Sequence, residues 1–195
     1  MNINDPVIPT RSGRIVDPLN LKVEDIDIDD IAHSLSLLCR FNGHTTSLYS
    51  VADHSIRVAQ ELRVGGAPRK IVLWGLLHDA SEAYLGDMAR PLKRTPEMQF
   101  YRDAEERAMR VIAERYDLGW PMPNVVKEVD QMMCVTEWRD LIANKRTNKN
   151  RLKKFPIQLI EGIEPFKGKI KPQSQWNAYL GFLAGFEALT PDGVK

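Results

Sequence analysis

Histidine is scarce in this sequence: there are four in 195 residues, His33, His44, His54 and His78, and none follows position 78. Cysteine is scarcer, with Cys39 and Cys134 the only two and no C-x-x-C spacing, which excludes a disulfide framework and a thiolate metal knuckle. Each lies in an apolar pattern of helical period, so free, buried thiols are expected. No window approaches the ~18 apolar residues of a membrane span, and the opening MNINDPVIPTRSGR holds no apolar run of the signal-peptide kind. No membrane partner and a cytoplasmic location are therefore expected. An excess of one charge is also missing. Lys and Arg number 27 against 26 Asp and Glu, a net charge of +1, so there is no general attraction to nucleic acid or anionic lipid. The basic cluster from Lys145 to Lys154 has no interleaved aromatics and reads as a solvated loop rather than a nucleic-acid patch. No segment repeats.

What is present is enough apolar content, 43%, for one domain with a real core. Residues 1–27, with three prolines and a Ser-Gly turn, form an irregular N-terminal segment or small hairpin. Helical patterns follow. IDIDDIAHSLSLLCRF opens on carboxylates suited to a helix N-terminus, and SVADHSIRVAQEL begins on a plausible Ser50 cap. PRKIVLWGLLHDASEAYL reads as one apolar, central helix. PEMQFYRDAEERAMRVIAERY reads as a surface helix; VVKEVDQMMCVTEWRDLIA and QSQWNAYLGFLAGFEAL complete the set. Residues 144–172 are the one long irregular stretch. The fold class is all-α, a single-domain helical bundle over 28–190.

The chemistry lies in polar residues on apolar faces. His54 falls three residues after Val51 and four before Val58, on the inward stripe of its helix. A lone histidine there is usually a hydrogen-bonded core residue. It gains meaning beside His78-Asp79, which closes the most apolar run, and Asp130, whose helical neighbours are Val126, Val129 and Met133. Burying such charges unpaired is prohibitive. Two imidazoles and two carboxylates can share one divalent metal, leaving positions for water and substrate.

His54, His78-Asp79 and Asp130 resemble the H…HD…D signature of the HD-domain metal-dependent phosphohydrolases, an all-helical superfamily. ADHSIRVA, LLHDASEAYLGDMARPLK and the pair Arg40-Phe41 resemble the branch of small 5'-deoxynucleotidases and deoxynucleoside triphosphate triphosphohydrolases. Phe41 stands where that branch usually has Trp, and Asp53 where Glu is common. The resemblance implies His54, His78, Asp79 and Asp130 as metal ligands and Glu82, with Asp79, as catalytic. It implies Arg40 as a phosphate contact and Lys93 as a further one. Asp87 would hold its loop or touch the sugar. Two-metal relatives use further histidines after the HD pair, which this chain lacks, so one divalent ion is implied: Zn, Mn, Co, Ni or Fe.

Arg90, Lys93 and Arg94 are either phosphate contacts or an exposed basic loop, and His44 either reaches the phosphate or base or caps a surface turn. His33, one turn before Leu37, reads either as a core histidine or as one that supports the site residues from behind. Arg90 and Arg94 beside Lys93 offer charge for a triphosphate, so activity on dNTPs as well as monophosphates is expected. The alternatives are a non-catalytic nucleotide-binding module and an HD hydrolase of another phosphoester. Phe100, Ala104, Ala108 and Val111 form one stripe of their helix and Met109 and Ile112 a second, which predicts a homo-oligomer.

Overall fold

The computed structural model describes residues 6–142 and 162–190. The basic cluster 145–154 lies outside them. The lead-in is a minimal hairpin, β1 (Ile8–Pro9) antiparallel to β2 (Ile15–Val16). It is tied to the bundle: the Ser12 N–H and hydroxyl both donate to the Asp30 carboxylate, each at 2.7 Å. Val16, Leu21 and Ile26 belong to the same core as the helices. The segment set apart by its prolines is thus part of the packed unit.

Helix α1 (Ile28–Leu37) starts where the Asp27 side chain accepts from the Asp29 and Asp30 N–H groups, and it buries Ile31, Ala32 and Leu35. Periodicity carries this helix on to Phe41, yet it stops at Leu37 because the next backbone groups bond elsewhere. Val51 N–H donates to Leu38 O and Arg40 N–H to Tyr49 O, both at 3.0 Å, around a Cys39–Ser50 bridge. This closes the 40–49 loop and sets Arg40 beside the next helix. Within the loop Phe41 and Asn42 take φ of +53° and +51°, a left-handed conformation that costs a non-glycine residue energy and concentrates at functional sites.

Helix α2 (Val51–Val64) is the centre of the bundle. Ser50 caps it by accepting from Asp53 N–H, and its first turns are buried on nearly all sides. It packs against α1, α3 (Arg69–Leu77), α7 (Asn124–Glu137) and α8 (Gln175–Leu189). The approach to α3 is close at Gly75, where an added Cβ would lie 2.3 Å from Leu62 Cδ1 and 3.3 Å from Ala59 Cα.

The run expected as one helix from Pro68 to Leu85 is broken after Leu77. His78 Nδ1 donates to Gly75 O at 2.8 Å, taking the carbonyl that a continuing helix would offer to Asp79. The chain then turns through i to i+3 bonds, Ala80 to Leu77 and Glu82 to Asp79, into the short α4 (Glu82–Leu85), which ends at Gly86 with φ +81°. A further turn of helix, α5 (Arg90–Lys93), leads to α6 (Gln99–Arg115). Met109 and Ile112, expected to form an exposed second stripe, are buried in the chain's own core, and of that helix's large apolar residues Phe100 is left 64% exposed.

After α7 a π-turn, Trp138–Ile142, follows. Residues 166–173 return along it, with Phe166 N–H on Thr136 Oγ1 (2.9 Å), Ile170 N–H on Asp140 (2.8 Å) and Gln173 N–H on Asp53 (2.8 Å). Both cysteines are free and half-buried rather than buried. No helix among the described residues is long and apolar enough to cross a membrane.

Candidate metal and phosphate site

The fold brings three elements to one point. His54 comes from the second turn of α2, His78-Asp79 from the break after α3, and Asp130 from the middle of α7. The two rings face each other with Nε2 atoms 3.1 Å apart and centroids at 5.0 Å. Around this pair, His54 Nε2 lies 3.2 Å from Asp130 Oδ1 and 3.6 Å from Asp79 Oδ2. His78 Nε2 lies 3.2 Å from Asp79 Oδ2 and 3.8 Å from Asp130 Oδ1. Ligand atoms of His54, His78 and Asp79 lie together within 4.8 Å, and Asp130 stands against both rings.

The donor chemistry fits a cation. A backbone carbonyl only accepts, so His78 Nδ1, bonded to Gly75 O, carries the proton. His54 Nδ1 lies 2.5 Å from Glu137 Oε1, which already accepts from the Tyr49 hydroxyl at 2.8 Å. A carboxylate in that role accepts, so this Nδ1 also donates. Protonated on Nδ1, neutral rings would turn bare Nε2 lone pairs to each other and to two carboxylates; although burial alone would lower it, Asp79 and Asp130 hold the His78 ring well above the ordinary imidazole range, so a positive charge is favoured at this point. Lone pairs held this close without a positive charge repel, and a divalent ion with two imidazole and two carboxylate ligands resolves the conflict. Burial alone would raise the Asp79 and Asp130 carboxyls, but the histidines beside them hold both below the ordinary range.

A cavity of about 480 Å³ opens onto this cluster. Its lining includes Arg40, Asp79, Glu82, Asp87, Arg90, Lys93 and Asp130, with Phe41, His44, Cys134, Trp138 and Ile142 on the remaining wall. The residues expected at the site are thus gathered here, with one exception: Arg94 is exposed and is not part of the lining. His44 is also exposed, but on the lining. His33 is elsewhere, half-buried and edge-on to Tyr179 at 6.0 Å.

Glu82 is 5% exposed, and its Oε2 has no hydrogen-bond partner among the described residues. It does not share a helix with His78 and Asp79, as the continuous-helix reading had it; it opens α4, so the turn swings it round toward the cavity. Burial, with Asp79 and then Asp87 nearby, pushes its carboxyl well above the ordinary value. Burial also raises Asp87. The cations are already engaged. Arg90 donates to Asp130 Oδ2 at 2.7 Å and Lys93 to Glu105 at 2.6 Å. Arg40, 9% exposed, reaches Glu137 through Nε (3.2 Å) and Nη2 (3.1 Å) and Asp79 through Nη1 (3.4 Å).

Glu137 was not foreseen. It is 0% exposed and follows Asp130 by seven residues, two turns along the same face of α7. An acidic residue continuing an inward stripe was the available signal.

Fold and site together define a helical protein with a buried histidine-carboxylate centre beside a cavity lined by charged and apolar side chains. No protein-family model matches the chain. It is 41% identical over 134 residues to the uncharacterized protein YfdR of Escherichia coli, covering 69% of this chain and 71% of that protein. It is 39% identical over 121 residues to an uncharacterized protein of Rhodobacter capsulatus, covering 60% of this chain and 61% of that one. The chain belongs to the YfdR family.

Proposed function

We propose that this protein is a metal-dependent phosphohydrolase of the HD-domain type that cleaves at the α-phosphate of deoxynucleoside 5'-phosphates. The observation that carries the reading is the pairing of the facing Nε2 atoms, ringed by Asp79 and Asp130, with a buried carboxyl on the same cavity, Glu82, whose Oε2 has no partner among the described residues. A nucleotide-binding module gives no reason to bury Glu82 without a partner, since a metal shell is complete without it.

His54, His78, Asp79 and Asp130 would hold one divalent ion, which when bound supplies Lewis acidity and an acidified water. Glu82 accepts the proton of the attacking water and returns it to the departing 5'-oxygen. Burial and the neighbouring Asp79 raise its carboxyl, so it holds a proton more readily than an ordinary glutamate, which suits it to the return transfer. Arg40 binds the phosphoryl oxygens through the Nη1 edge that now faces Asp79, and Lys93 adds a second charge. Asp87 borders the sugar, and Phe41 and Trp138 offer apolar surface to the base.

Charge favours a monophosphate over the broader substrate range the basic loop implied. Three cations, Arg40, Arg90 and Lys93, line the cavity with four carboxyl groups, Asp79, Glu82, Asp87 and Asp130, so one divalent ion moves the balance from −1 to +1 with all four ionised, and from 0 to +2 with Glu82 protonated. A phosphate dianion nearly matches that. A triphosphate adds roughly two to three negative charges that need further cations, yet with Arg40 and Lys93 given to the first phosphate, Arg94 is off the lining and Arg90 is held by Asp130. Self-association through α6, with Phe100 as its exposed residue, and a cytoplasmic location complete the proposal.

The test is a product-resolved screen of dNMPs and dNTPs with added Mn, Co or Zn. Phosphate release from dNMPs with little tripolyphosphate from dNTPs is expected. Metal binding without turnover of any nucleotide would return the site to a binding role.

A further inference from the structure

We propose that Glu137 is the positioning residue of the site, a single buried carboxylate that sets the His54 ring and the Arg40 guanidinium in register with each other. This rests on the metal-dependent reading above. Glu137 lies wholly inside the protein, and its two oxygens are divided between two tasks. Oε1 accepts from His54 Nδ1 at 2.5 Å and from the Tyr49 hydroxyl at 2.8 Å. Oε2 accepts from Arg40 Nε at 3.2 Å and Nη2 at 3.1 Å.

The first task fixes a tautomer. With Nδ1 held as the donor, the neutral His54 ring presents a bare Nε2 to the cluster, the form a metal requires. The second task fixes a direction. With Nε and Nη2 turned to Glu137, Arg40 keeps Nη1 toward Asp79 and the cavity. An anion arriving in the cavity meets an arginine whose rotamer is already chosen, so little ordering is left to be done on binding. Because Glu137 and Asp130 share one face of α7, one helix delivers a ligand and the group that orients a second ligand. Tyr49, also 0% exposed, holds the carboxylate against rotation.

Glutamine at this position keeps the size but cannot serve both partners. Its amide offers one acceptor and one donor group, and every partner here is a donor. If the amide oxygen faces His54, the NH₂ confronts Arg40; if it faces Arg40, the NH₂ drives His54 to the tautomer with its proton on Nε2.

The experiment begins with the wild-type chain, stripped of metal and labelled with ¹⁵N in its histidines, in which the protonated nitrogen of each ring is read by NMR. His54 is expected as the Nδ1–H form, and finding it as Nε2–H would overturn the proposal without any variant. Glu137→Gln is then titrated with Mn or Zn beside wild type. A metal Kd weakened about 10–100-fold, or metal binding kept with KM for a dNMP raised at least tenfold and kcat less affected, is expected according to which way the amide settles. A folded Glu137→Gln with wild-type metal affinity and KM would reduce Glu137 to a structural ion pair. Tyr49→Phe, which removes one donor but leaves His54 and Arg40 on Glu137, should lower Tm while keeping metal Kd within about threefold. A wild-type chain that binds no metal fails the reading above, whatever the tautomer of His54.

Discussion

Glu82 carries an unmet hydrogen bond inside a protein, and a buried carboxyl in that state costs stability on the order of 1–3 kcal/mol. Proteins keep such groups where reactivity requires them. Glu82→Gln is therefore expected to retain bound metal, to melt no lower than wild type, and to lose about 10²-fold or more in kcat, the usual scale for an acid-base group. Wild-type turnover in that variant would make Glu82 structural. At this scale the sequence was legible where a charge interrupts an apolar stripe: His54 between Val51 and Val58, and Asp130 among Val126, Val129 and Met133. Arg94 shows why adjacency is a poorer guide. It follows Lys93 directly, but α5 is a single turn, so successive cations point in different directions and only Arg90 and Lys93 reach the cavity. Glu137 continues the stripe of Asp130 two turns on, but in a helical pattern that also carries Glu128 and Asp140 a single glutamate has no mark in the sequence that separates it from a solvated one.

The helices themselves followed from periodicity and caps: Asp27, Ser50 and Ser174 each bond the first turn of the helix they begin. Their ends were less legible, because tertiary bonds set them. The Cys39–Ser50 bridge halts α1, and the His78 bond to Gly75 O halts α3. Neither partner is local enough, or regular enough, to appear in a hydrophobic pattern. Gly75 joins the two levels. It lets α2 and α3 approach, and its carbonyl fixes the His78 ring. Gly75→Ala would thrust a methyl into Leu62, itself only 2% exposed and without room to swing away, and toward the Ala59 backbone. The expected cost is about 1–3 kcal/mol, which for a chain of this length lowers Tm by roughly 2–4 °C per kcal/mol. Loss of metal affinity should accompany it as α3 shifts and carries His78 with it. An unchanged Tm and metal affinity would show that the helices are not held at their closest distance here.

Across the whole molecule the site is a junction. The residues proposed as its ligands belong to α2, to the turn between α3 and α4, and to α7, with 75 residues of sequence between His54 and Asp130. None of them is preassembled in an unfolded chain, so an ion that binds the folded form adds to global stability through mass action. Without the ion, a proton on the imidazoles supplies the positive charge that the two carboxylates attract, so an added ion competes with that proton for the same Nε2 atoms. At a free metal concentration 100 times Kd the gain is about 2.7 kcal/mol, equivalent to a rise in Tm of roughly 5–10 °C for a protein of this length. Adding Mn or Zn to chelator-treated protein should therefore raise Tm in a concentration-dependent, saturating manner, with about one ion bound per chain. His78→Ala should abolish the rise, because it removes the ring that closes the cluster from the α3 side. Glu82→Gln should preserve it, because that carboxyl faces the cavity rather than the junction. A metal-dependent rise of equal size in His78→Ala would locate the stabilising ion elsewhere on the chain and leave the histidine-carboxylate centre without a metal role.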